Sequence, residues 1–162
     1  MSNSHIATYL NDHLAGSVAA IEILEYLESA HDGTPEEHFY TDIRHNVEQD
    51  QAELEAIMER LGVTVSRTRK AGAWMASKLT EFKLAIDDPA GGALRVLESL
   101  EVLTMGIDGK RSLWRALAAS CERLPALDDV DFDRLLERAE EQGSRVEHAR
   151  LLAAMQVFVP DE

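Results

Sequence analysis

At 162 residues the chain has the length of one domain with a single sizeable core. Its 45% hydrophobic content is that of a globular protein, and no apolar run reaches the roughly 18 residues of a membrane span, which argues against integral membrane association. A formal net charge of −14 argues against a nucleic-acid partner, since phosphates are repelled without a concentrated basic face.

The first predicted helix runs from about Ile6 to Ser29. Leu10, Leu14, Ile21 and Leu24 recur at the spacing of a buried stripe, and Gly16, Ser17, Ala19 and Ala20 are small enough for a neighbouring backbone to come close. Asp32-Gly33 reverses the chain. Thr34-Pro35-Glu36-Glu37 then offers a cap, a proline suited to the first helical position and a capping-box glutamate. The second helix carries Phe39, Ile43, Val47, Leu54, Ile57 and Leu61 on one face and stops at Gly62, so the first two helices form an antiparallel pair.

The stretch between Gly62 and Gly92 is too long for a simple loop. Trp74, Met75, Leu79, Phe82 and Ile86 lie at helical spacing there and predict an extra helix over about 68–86. Residues 60–86 hold six Lys/Arg against Glu81, whereas residues 1–59 hold thirteen Asp/Glu against Arg44. That complementarity predicts that the basic segment docks on the acidic first hairpin; a membrane surface is the weaker alternative.

The third helix is predicted from about Ala93 to Arg123, with Val96, Leu100, Leu103, Ile107, Trp114 and Leu117 sharing a face and a possible loosening at Gly106 and Gly109. Cys121, the only cysteine, excludes an internal disulfide and any CxxC motif and reads as an inert core residue. Gly106-Ile107-Asp108-Gly109-Lys110 lacks the spacing and preceding strand of a phosphate loop. The fourth helix follows from about Phe132 to Phe158, with Asp128 to Asp131 available as caps. The N-terminus shows no basic region followed by an apolar core, so the expected location is cytoplasmic.

Four long helices joined short–long–short resemble the ferritin-like superfamily. The segments Tyr9-Leu10-Asn11-Asp12-His13-Leu14-Ala15-Gly16-Ser17 and Gly106-Ile107-Asp108-Gly109-Lys110-Arg111-Ser112-Leu113-Trp114-Arg115-Ala116-Leu117 resemble a group of uncharacterised bacterial ferritin-like proteins. The resemblance implies an all-α, ferritin-like four-helix bundle with an additional helix in the crossover between helices 2 and 3, in one domain spanning 1–162.

Ferritin-like oxidases take a Glu from each of two helices and a Glu-x-x-His from each of the other two. Only Glu28-Ser29-Ala30-His31 and Asp42-Ile43-Arg44-His45 have an acid-x-x-His spacing here, and His148 is preceded at i−3 by Arg145. If two iron or manganese ions are bound, as in a ferroxidase or oxidase handling iron or oxidative stress, the candidate ligands are Glu25, Glu28, Asp50, Glu98, Glu101 and His13. Glu98 and Glu101, however, lie opposite the apolar stripe of their helix.

The favoured expectation is different. Asp50 falls between Val47 and Leu54 in the stripe of helix 2, and Arg150 between Val146 and Ala153 in that of helix 4. A charge at a core position must be paired or ligated, and arginine pairs with carboxylates but cannot bind a cation. Asp50 and Arg150, reached by His13 or Gln142, are therefore expected to form a core polar network where a metal would otherwise sit. On this reading the protein needs no cofactor and acts through binding or assembly, as a homodimer with a protein partner not identified by the sequence.

Overall fold

The computed structural model describes residues 3–66 and 92–159. Four long helices dominate: α1 (Asn3–Ala30), α2 (Pro35–Arg60), α3 (Gly92–Ala118) and α4 (Phe132–Phe158). No strand occurs among the described residues. The expected crossover helix over 68–86, with Trp74 and most of the basic segment, lies outside them.

Cross-helix contacts fix the directions. Glu28 of α1 meets Arg44 of α2 at 2.7 Å, and Ser17 meets Gln51 at 2.8 Å, so this pair is antiparallel. Arg95, at the start of α3, donates to the Tyr26 hydroxyl near the end of α1, so α3 also opposes α1. Glu53 and Asp42 of α2 reach Arg134 and Arg145 of α4, again in opposite order. Helices α2 and α3 are therefore parallel, and the chain between them must travel the length of the bundle.

Short signals end the elements. Gly62 takes a φ of 65°, with its N–H on the Glu59 carbonyl and the Val63 N–H on that of Met58. This is the paired closure for which a left-handed glycine is suited. Just beyond it, the buried Asn11 side chain holds the departing strand of chain, donating to the Thr64 carbonyl at 3.1 Å and accepting from Ser66 N at 2.7 Å. Asp131 caps α4 by accepting from Arg134 N at 3.0 Å.

Several local expectations are corrected. Thr34 does not cap α2 with its side chain: its hydroxyl donates to the His31 carbonyl, and the Glu37 carboxylate accepts from Gly33 N instead. Helix α3 ends at Ala118 rather than Arg123. Two 3-10 turns, Cys121–Arg123 and Pro125–Leu127, take over and swing Leu127 into the core, leaving Cys121 half-buried. On α1 Leu10, Leu14 and Leu24 are buried as the stripe requires, but Ile23 and Leu27 join them while Ile21 is only partly buried. Helix α3 runs unbroken through Gly106 and Gly109.

The core is divided in two. One apolar cluster gathers Leu10, Leu14, Leu54, Ile57, Leu113, Trp114 and Leu135. The other gathers Ile23, Leu27, Ile43, Val47, Leu103, Ile107 and Val146. Between them, in sequence order on each helix, stand Ser17 on α1, Asp50 on α2, Lys110 on α3 and Gln142 on α4. A polar layer crosses the middle of the bundle.

Candidate functional site

Asp50 is the centre of that layer and is 3% exposed. Helical periodicity carries it inward, since it continues the Ile43, Val47, Leu54, Ile57 stripe. Its Oδ2 accepts from Lys110 Nζ at 2.5 Å and from Gln142 Nε2 at 3.0 Å. Its Oδ1 accepts from Arg138 Nε at 2.7 Å, and Arg138 Nη2 closes the same ion pair. Lys110 also donates to Gln142 Oε1. One carboxylate thus serves two cations. Burial pushes the Lys110 ammonium below the usual lysine range, with neighbouring Arg138 acting in the same direction and Asp50 opposing both.

Of Asp50, Arg150, His13 and Gln142, the structure brings two together. Asp50 and Gln142 are bonded directly. Arg150 is not their partner: it forks onto Glu147 at 2.6 and 2.7 Å and lies 3.7 Å from Glu101. The reason is axial distance. Arg150 is eight residues beyond Gln142, about 12 Å along a helix at roughly 1.5 Å per residue. Arg138, one turn to the other side of Gln142, is the arginine that reaches.

Lys110 and Arg138 are the residues that reading the stripes for carboxylates and histidines missed. The signal for Lys110 was present: Leu103, Ile107, Lys110, Trp114 and Leu117 step by four, three, four and three. A lysine at such a position needs a buried acid, and Asp50 was the one already placed inside.

His13 lies across an open space rather than within the network. Its ring meets Tyr9 edge-on at 4.7 Å between centroids, and burial pushes its imidazole down from the usual histidine value, with Asp12 partly opposing. The open space is a cavity of about 300 Å³ bounded by α1, α2 and α3. Gly16, Ser17, Ala19 and Ala20 on α1 and Gly106 and Gly109 on α3 line it, and such small side chains leave the volume unfilled. Ile23, Val47, Leu103 and Ile107 make the apolar wall, and Asp50, Lys110 and Trp114 border it on the polar layer's side. The Trp114 indole N–H is buried without an acceptor among the described residues.

The remaining candidate ligands do not converge. Glu25, Glu98 and Glu101 are exposed, and Glu28 is bonded to Arg44. Among the described residues no three His, Cys, Asp or Glu side chains gather as a metal-binding group. The donor chemistry does not fit a pair of metal ions at mid-bundle, because both Asp50 oxygens are committed to cations and an amide. No protein-family model, curated protein or solved structure matches the chain.

Proposed function

We propose that this chain is a ferritin-like helical bundle that acts by binding a small apolar molecule, with a core closed by ion pairs instead of a di-metal centre. The observation that carries the reading is the Asp50 cluster. A metal ion brought to Asp50 would meet Lys110 and Arg138 at close range, and like charges in a low-dielectric interior repel strongly. The ferritin-like part is supported by the parallel course of α2 and α3, which requires the long crossover characteristic of that connectivity. The binding part is supported by the cavity, whose apolar walls with a few convergent polar groups are the usual make-up of a small-molecule site.

Thermal melting with 1-octanol tests it. Saturating 1-octanol raises the melting midpoint of the wild type, because a ligand that binds only the folded state stabilises that state. In Gly109→Leu the rise is abolished: Gly109 lines the cavity, a Cβ built there meets nothing within 4 Å, and the larger side chain takes up space the ligand needs. A wild-type midpoint that does not move would contradict the binding reading.

A further inference from the structure

Three features of the cavity wall bear on what it would bind. Among the described residues Asp50 is the sole carboxylate paired with either Lys110 or Arg138, so the buried cluster is one negative charge short of balance. Lys110 lines the cavity from the polar layer's side, whereas the indole N–H of Trp114, another lining residue, is sealed off from the open space. The rest of the wall is largely apolar, drawn from Ile23, Ile43, Val47, Leu103 and Ile107.

We infer that the cavity takes an apolar monocarboxylate, with the carboxylate against Lys110 and the tail between α1 and α3. The inference rests on the binding reading above and adds the ligand's head group to it. An ammonium has three N–H donors; Asp50 and Gln142 take two of those of Lys110, and a ligand carboxylate can accept the third. Arg138, the second cation, is not part of the cavity lining, so a dianion such as phosphate would keep a buried charge uncompensated. The other lining acid, Asp12, lies five residues from Ser17, about 7.5 Å further along α1 at roughly 1.5 Å per residue. Ser17 is the α1 residue level with the cluster, since Gln51 beside Asp50 bonds to it.

Calorimetric titration of the full chain with sodium octanoate and with 1-octanol, equal in tail length, separates the head-group claim from the binding claim. The wild type is expected to favour octanoate by about ten-fold, the order expected of one charge-assisted hydrogen bond. Lys110→Met removes that preference, so that the two compounds bind alike; Asp50 retains Arg138 and Gln142 as partners in this variant. Lys110→Gln, which removes the charge and keeps a neutral donor beside Asp50, is the second variant and weakens octanoate several-fold. Octanol bound as tightly as octanoate by the wild type would overturn the head-group inference and leave the binding reading standing. Neither compound binding would overturn both. Octanoate affinity unchanged in Lys110→Met, or in Lys110→Gln should the first variant not fold, would put the carboxylate elsewhere and overturn the inference.

Discussion

Asp50→Ala is expected to destabilise the fold by about 3–5 kcal/mol, the range for removing one partner of a buried ion pair. The alanine leaves Lys110 and Arg138 facing each other with Gln142 as their one polar neighbour in the cluster, and neither cation can regain full hydration inside the bundle. Since a domain of this size has about 5–15 kcal/mol in total, the variant should be marginal at room temperature. Urea titration followed by circular dichroism reads the loss. Adding Lys110→Met to Asp50→Ala should return much of it, because the second change removes one orphaned charge. Arg150→Ala is the matched control and should move the midpoint little, as its partners Glu147 and Glu101 are surface carboxylates. An Asp50→Ala midpoint equal to that of the wild type would mean the cluster is not held together by charge.

Trp114→Ala should be of similar size for a different reason. Trp114 is 1% exposed and packs in the cluster with Leu10, Leu14, Ile57 and Leu117. Truncating a buried tryptophan typically costs about 3–5 kcal/mol through lost transfer energy and the void left behind. Here the void opens into the existing cavity, which Trp114 already lines, so the surroundings have little means of closing it. Trp114→Phe should cost far less, because it keeps most of the apolar volume and removes a buried donor that has no acceptor among the described residues. Equal losses from the two substitutions would show that the indole N–H, not the packing, is what stabilises this end of the bundle.

The helices were legible because their apolar residues repeat with the helical period and their ends carry strong signals. Phe132–Phe158 was read at its observed bounds, between an Asp cap and Pro160. The end of α3 was not, because Ala119-Ser120-Cys121 has no breaker and continues the pattern. Beyond its end the two tight turns bring Leu127, four residues past Arg123, into the core. The burial of Asp50 and Gln142 followed from the same periodicity.

Their partner did not follow, since a stripe gives the face a residue occupies but not its height relative to a neighbouring helix. Arg150 has the right face and the wrong height. Arg138 lies at the stripe's edge and reaches inward with a long side chain that keeps its stem in the core. The cavity was legible only as a hint: small residues on α1 predicted a close approach of backbones, and the helices instead stay far enough apart to leave it open.

The central claim is that Asp50 belongs to an ion-pair cluster rather than to a metal centre. Its most direct test is metal content by elemental mass spectrometry after anaerobic loading with Fe(II) or Mn(II) and desalting. The account predicts no metal retained by the wild type above that retained by Asp50→Asn, which keeps the shape of the side chain without its charge. About two ions per chain in the wild type, lost in Asp50→Asn and giving oxygen-dependent absorbance in air, would contradict it and restore the oxidase reading.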